Sequence, residues 1–408
     1  MVRDGYKQTE VGVIPEDWEV VEIGSVTTRV GDGLHSTPMY DSSGSYSFIN
    51  GNNLKDGRIF IYDNTKRVDD TQYDLHKIEL NASSVLMSIN GTIGNIALYE
   101  GEKILLGKSA AYLNFKSSVD RKYMAFCLAS KIIQQSFNDN LTGTTIKNLG
   151  LKVISSTPIP LPTLREQRAI ARALSDTDAL LSALDALIGK KEAFKRGMME
   201  GLLSGEIRLE GFEGEWGVSS LGKLCELIGD GTHQTPKYVE SGVTFVSVEN
   251  VTSMDFTNTK FISEDAFDAM ANYSKTRRND VLLTRIGTLG ETALVDWDTP
   301  AAIYVSLALL RFADEITAKW VYTFSKSSIF IAALEARSLM NAIPKKINLG
   351  EISGIPIPIP PLSEQRAIAR VLSDLDAELS ALRARRAKLA KVKAGMMGEL
   401  LTGAVRLV

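Results

Sequence analysis

The chain contains itself twice. Residues 31–38 read GDGLHSTP and residues 229–236 read GDGTHQTP, and the likeness is not confined to that octet. EDWEV around Trp18 returns as GEWGV around Trp216, VLMSINGTIG (85–94) as VLLTRIGTLG (281–290), and NLGLKVISSTPIPLP (148–162) as NLGEISGIPIPIP (348–360). REQRAIARALSDTDALLSAL (165–184) returns as SEQRAIARVLSDLDAELSAL (363–382). Self-similarity over this length means one structural unit made twice, so whatever fold serves half the chain serves the other half too.

Each copy has two textures. Its first part alternates short β-branched and aromatic runs, such as YSFINGNNL, GRIFIY and VTFVSVENV, with clusters of Gly, Asn, Asp and Ser. That pattern predicts strands and loops. RKYMAFCLASKIIQQSF and AKWVYTFSKSSIFIAAL read as helical stretches near its end. The expected class is α+β, with globular parts at 1–160 and 206–359 and helical parts at 161–205 and 360–408.

The helical parts open on TPIPLPT and GIPIPIPPLS, whose prolines hold the backbone extended and stop a helix from starting earlier. Thr163 with Glu166 three residues later resembles a capping box, which Ser363, one residue before Glu364, fits less well. Apolar residues then recur every seven: Leu174, Leu181, Ile188 and Leu202 at one position, Leu184 and Met198 at the other. Leu372, Leu379 and Leu400, then Leu375, Leu382, Leu389 and Met396, repeat the frame. Two helices of about 40 residues, roughly 60 Å each, sharing one heptad frame suggest a coiled coil. Lys195, Arg386 and Lys393 interrupt the seam, which leaves open that each helix merely lids its own module.

Composition removes several functions. A chain of 408 residues that is 44% hydrophobic buries more than one core. Its apolar runs fall far short of the roughly 20 residues a membrane helix needs, and the beginning MVRDGYKQTE lacks a signal-peptide core, so a cytoplasmic protein is expected. The net charge of −3 excludes a cationic coat, so any nucleic-acid contact is local. Cys127 and Cys225 stand at unmatched positions and read as buried or neutral thiols. With three histidines and no CxxC or HxxxH, no metal site is expected.

Catalytic motifs are equally scarce. GEKILLGKS (101–109) looks like a phosphate-binding loop, but Glu102 stands where the first glycine belongs and the second copy has AIYVSLA there. Lys108 reads instead as a solvated or phosphate-facing charge. No glycine-rich dinucleotide loop or Asn/Asp-Pro-Pro-aromatic motif is present, so neither redox nor methyl-transfer chemistry is expected. His35 and His233 lack a matched nucleophile; each is a hydrogen-bonded loop residue or a contact to a partner. Lys275, Arg277, Arg278 and Arg285 bracket VLLTRIG and read either as a solvated charge face or as contacts to phosphates and guanine edges.

A duplicated module, followed each time by a proline-rich entry to EQRAIA and a long helix ending in GMMxxLLxG, resembles the specificity subunit of type I restriction–modification systems. The resemblance covers essentially the whole chain. It implies two α/β-mixed target-recognition domains, two helices packed as an antiparallel coiled coil, and a pseudo-two-fold molecule. Each domain would read half of a split double-stranded DNA target, with the helices as a ruler between the halves. The helices would dock two methyltransferase subunits carrying S-adenosylmethionine, and restriction subunits using ATP and Mg would join them. This chain itself would bind no cofactor and catalyse nothing.

The copies differ most over 54–80 and 251–279, where two half-sites need different readers. His35, Ser88, Asn90 and Lys108 are the DNA-binding candidates in the first domain, and His233, Lys237, Thr284 and Arg285 in the second. Leu174, Leu181, Leu184, Ile188, Leu372, Leu379, Leu382 and Leu389 are the candidates for helix pairing and subunit docking. The competing function is a coiled-coil scaffold that bridges proteins without reading DNA.

Overall fold

A computed structural model of the chain describes residues 2–143, 147–339 and 341–407. Contacts divide it into two compact units, Met1–Ala186 with Ala384–Val408, and Leu187–Arg383. The division departs from the sequence boundaries. The helices Leu164–Ser204 and Leu362–Leu400 form where expected, but each gives one part to each unit, because the end of each helix carries core residues.

In the first unit an antiparallel sheet runs Ile96–Leu98, Ser84–Ser88, Ala110–Phe115, Thr27–Asp32. A second sheet pairs Ile104–Leu106 in parallel with Tyr46–Ile49, which pairs with Arg67–Val68. The second unit repeats both. Cys225–Asp230, Leu307–Phe312, Val281–Thr284 and Thr292–Leu294 form one sheet. Tyr238–Val239, Lys260–Ile262, Val243–Val246 and Ala301–Ile303 form the other. The mixed α+β class is thus as expected. The divergent stretches are more than loops: 54–80 holds the helix Asp70–His76, and 251–279 the helix Glu264–Asp268.

The expected helical stretches are each two helices, broken at Ser130 and Ser327, whose hydroxyls cap the second of each pair. The proline runs are strands: Pro158–Leu161 pairs with Glu19–Glu22, and Pro356–Ile359 with Gly217–Ser220. Thr163 caps its helix, accepting from the Glu166 amide at 3.3 Å. The box is only half made, because the Glu166 side chain turns inward to Trp18 and Arg406.

Helix pairing is seen inside each unit. In the first, Asp178 pairs with Lys393 and Asp185 with Arg386; in the second, Lys191 pairs with Glu378 and Lys195 with Asp376. Numbers rise on one helix as they fall on the other, so the segments are antiparallel. The three cations that interrupt the heptads are therefore among those that bridge the helices. Leu184 and Leu379 are buried, while Leu181, Ile188, Leu382 and Leu389 are half-buried. Leu174 and Leu372 belong to the cores of the first and second units.

The core of the first unit, around Trp18, Tyr123 and Phe137, includes Leu400 and Leu401 from the end of the C-terminal helix. That of the second, around Trp320, Phe324 and Phe330, includes Leu202 and Leu203 from the end of the central helix. A buried carboxylate anchors each. Glu166 accepts from Trp18 Nε1 at 3.1 Å and from Arg406 Nε at 2.6 Å; Glu364 accepts from Trp216 Nε1 at 3.0 Å and from Arg208 Nε at 2.6 Å.

Candidate nucleic-acid interface

The GDGxHxTP octet begins inside a strand. Gly31 and Gly229 are the next-to-last residues of the sheet strands Thr27–Asp32 and Cys225–Asp230, and neither they nor Gly33 and Gly231 have positive φ. Their lack of a side chain matters for approach rather than for turning. A Cβ on Gly33 would lie 2.3 Å from the Leu106 carbonyl oxygen, and one on Gly231 would lie 2.1 Å from that of Ile303. The octet is thus pressed against the second sheet in both units, and its glycines serve that close approach rather than a turn.

This approach gathers four segments at one edge. In the first unit the Leu34 amide donates to Leu106 O at 2.7 Å and the Lys108 amide to Leu34 O at 3.0 Å. Ile89 N donates to Ser109 O, and Gly91 N to Lys147 O. The second unit copies the scheme: Thr232 to Ile303, Val305 to Thr232, Arg285 to Ser306, and Gly287 to Lys345. The Gly107–Ser109 segment is one of the four. It leads into the strand Ala110–Phe115, not a helix, and its first two amides are already bonded to Ile49 O and Leu34 O, so it cradles no phosphate in the manner of a nucleotide loop.

Four of the candidate residues are exposed here. His35 and His233 have side chains 71% and 73% accessible, and their Nε2 atoms lie 2.7 and 3.1 Å from Asp32 and Asp230. Lys108 and Lys237 are exposed, and half-buried Asn90 donates to Lys108 O at 3.2 Å.

Three candidates are corrected. Ser88 and Thr284 are fully buried, and their hydroxyls accept from the amides of Asn95 and Glu291, closing the GTxG turns. Arg285 is 8% exposed; it donates to Asp230 at 2.9 Å and to the carbonyls of Ile347 and Val305. These are framework residues. The cationic cluster around VLLTRIG likewise disperses, with Arg278 bound to Asp298 and Lys275 lying over the Phe267 ring.

Sequence reasoning missed Asp32 and Asp230, although the Asp-x-x-His spacing in both octets was visible. It also missed Lys147, Lys345 and Lys346, exposed residues of the fourth segment. The two thiols are as expected: Cys127 is buried, Cys225 half-buried, and burial pushes both up to about 12. Among the described residues no group of His, Cys, Asp and Glu could hold a metal ion, and no helix is long and apolar enough to cross a membrane.

The two edges share one backbone scheme, and each carries its own side chains. The chain belongs to the family described as the type I restriction modification DNA specificity domain, whose profile matches twice, over residues 15–191 and 213–391. It is 27% identical to the type I restriction enzyme MjaVIII specificity subunit of Methanocaldococcus jannaschii, over 99% of this chain and 96% of that one. It is 28% identical to the putative MjaX specificity subunit of the same organism, over 99% and 97%. The crystal structure of the S subunit of a type I restriction–modification system from M. genitalium shares the fold, with a TM-score of 0.56 and 20% identity over 94% of this chain and 96% of that one.

Proposed function

We propose that this chain is the specificity subunit of a type I restriction–modification complex, each unit reading one half of a bipartite DNA target. The observation that carries this is the matched edge. The same four segments hydrogen-bond in the same order in both units, while Lys108 is replaced by Val305, Met39 by Lys237 and Asn90 by Ile286. A fixed frame with exchanged side chains is what two different half-sites require, since phosphate contacts position a reader and base contacts specify. A protein-bridging scaffold gives no reason for the edges to differ.

The helix pairs are the surface offered to two methyltransferase subunits, which would carry S-adenosylmethionine, with ATP and Mg on the restriction subunits. The chain would itself be non-catalytic and act in the cytoplasm. Co-expression with type I methyltransferase subunits, followed by mapping of modified adenines, tests this. A single bipartite motif is expected, and replacing Met1–Leu161 should change one half only. A complex binding all duplexes equally at physiological salt would leave the scaffold reading.

A further inference from the structure

Two positions after each octet stands a tyrosine. Tyr40 follows GDGLHSTP-Met39, and Tyr238 follows GDGTHQTP-Lys237. They are 45% and 39% exposed. Each ring leans on a buried phenylalanine in the second sheet of its unit, Tyr40 on Phe48 at 5.7 Å and Tyr238 on Phe245 at 6.0 Å between centroids. Each is also approached by a lysine: Lys66 Nζ lies 6.0 Å from the Tyr40 ring centroid, and Lys260 Nζ lies 4.7 Å from that of Tyr238.

Sheet register builds both arrangements. Phe48 donates its amide to Lys66 O, and Phe245 stands opposite Lys260 in the antiparallel pair. Asp41 N donates to Arg67 O, and Tyr238 stands opposite Ile262, so the tyrosine and the lysine come from adjacent segments. Both lysines lie within the stretches where the two copies diverge, 54–80 and 251–279, yet the trio returns intact.

The trio is joined to the recognition edge. Phe48 lies under Gly107, beside Lys108, and Leu34 packs on its cluster. In the second unit Phe245 lies 6.1 Å from Tyr304, whose hydroxyl is 3.3 Å from that of Thr235 in the octet.

Resting on the DNA-reading function above, we propose that Tyr40 with Lys66, and Tyr238 with Lys260, are phosphate clamps, one for each half-site. The chemistry favours a phosphate over a base. The ring leans on phenylalanine and is approached by an ammonium, so it offers no open platform for stacking. The phenol edge and the cation stay at the surface, and both are ordinary donors to phosphate oxygens. Among the described residues neither ammonium has a carboxylate within 4.0 Å, so its charge is available. On a chain of net charge −3 such local cations must supply the backbone contacts this subunit makes.

The experiment uses the complete complex with its methyltransferase subunits. The duplexes are one drawn from a site the wild-type complex methylates and a scrambled one of equal length, titrated across salt concentrations. Lys66→Gln and Lys260→Gln should each weaken binding to both duplexes alike and reduce the slope of log affinity against log salt by about 0.9, the share of one phosphate. Lys→Arg should restore the slope, and Tyr40→Phe or Tyr238→Phe should weaken binding several-fold with the slope kept. An unchanged slope in both glutamine variants overturns the clamp, as does a loss confined to the methylated-site duplex, which would make these residues base readers. If the wild-type complex does not discriminate the duplexes, the DNA-reading function fails instead, a result visible before any variant is made. The residues are exposed, and matching unfolding midpoints will show that the variants fold.

Discussion

Arg406 Nε lies 2.6 Å from Glu166 Oε1, joining the third residue from the chain's end to the first turn of a helix 240 positions earlier. Arg406 Nη2 reaches the other carboxylate oxygen at 2.9 Å, and the same guanidinium holds both oxygens of Asp17 at 2.9 Å. Glu166 is 1% exposed and has Trp18 Nε1 as a further donor. In the second unit Arg208 and Glu364 repeat the fork, but there the arginine precedes its tryptophan in the chain.

Losing Arg406 would therefore strand a buried carboxylate. We expect Arg406→Ala, or removal of Val405–Val408, to cost about 2–3 kcal/mol. Arg406→Lys should recover only part, since an ammonium cannot make the fork. Thermal unfolding would show this as a fall of several degrees, and an unchanged midpoint would rule out the closure described. The Arg406 guanidinium also holds the Asp17 carboxyl below its ordinary value, chiefly by hydrogen bonding. Its contribution is present above the ordinary carboxylate range and is lost as pH falls through the lowered value, so the wild type and Arg406→Ala should converge in stability under acid.

The octet glycines give a second prediction. Gly33→Ala puts a methyl 2.3 Å from backbone atoms of Leu106, and Gly231→Ala one 2.1 Å from Ile303 O. Backbone cannot yield as a side-chain tip can, so both should destabilise by about 1–3 kcal/mol, as overpacking does. Gly189→Ala, inside the central helix with nothing within 4 Å of the added Cβ, should instead stabilise by about 0.5–1 kcal/mol. Equal effects at the three positions would contradict the close approach of octet and sheet.

Arg285 and His233 share the Asp230 carboxylate, yet we expect them to behave differently. Arg285→Ala removes the bonds to Ile347 and Val305 and should lower the unfolding free energy by about 2 kcal/mol. His233→Ala leaves the fold alone and weakens DNA binding. A variant Arg285→Ala of wild-type stability but altered half-site preference would restore it as a base reader.

These residues also show what the sequence could and could not tell. Repetition placed the two long helices and marked the proline runs as extended backbone, because each is written in local periodicity or local chemistry. Burial of Ser88, Thr284 and Arg285 was not legible. A half-buried strand alternates its faces, but Ser84–Ser88 and Val281–Thr284 are covered on both, so every position is buried and no period marks the inward side. The partners of Arg285 lie 20, 55 and 62 positions away, a distance over which single-sequence reasoning has no purchase. The interrupted heptads misled for the opposite reason: Lys195, Arg386 and Lys393 are faults in an apolar seam but bonds in an antiparallel pair.

Cys127 shows a difference between the two cores that repetition itself exposes. It stands where the second unit has Phe324, which stacks on Trp320 and meets Phe330 edge-on at 6.2 Å. In the first unit the same place borders an apolar cavity of ≈260 Å³, lined by Val11, Ile14, Cys127, Ile133, Met397 and Leu401. Burial pushes the thiol from its ordinary value of 9.0 to about 12, so the folded state holds the proton more tightly than the unfolded one. The resulting stability is complete below pH 9 and is lost as pH rises from there toward 12. Alkylation at pH 8 should accordingly be slow until urea unfolds the unit, because only the thiolate reacts. Filling the cavity as the second unit does, with Cys127→Phe, should remove the Cys127 share of the alkaline dependence and add about 0.5–2 kcal/mol. Rapid labelling of Cys127 in the folded protein, or a lower unfolding midpoint for the phenylalanine variant, would show that this wall of the core is not closed as described.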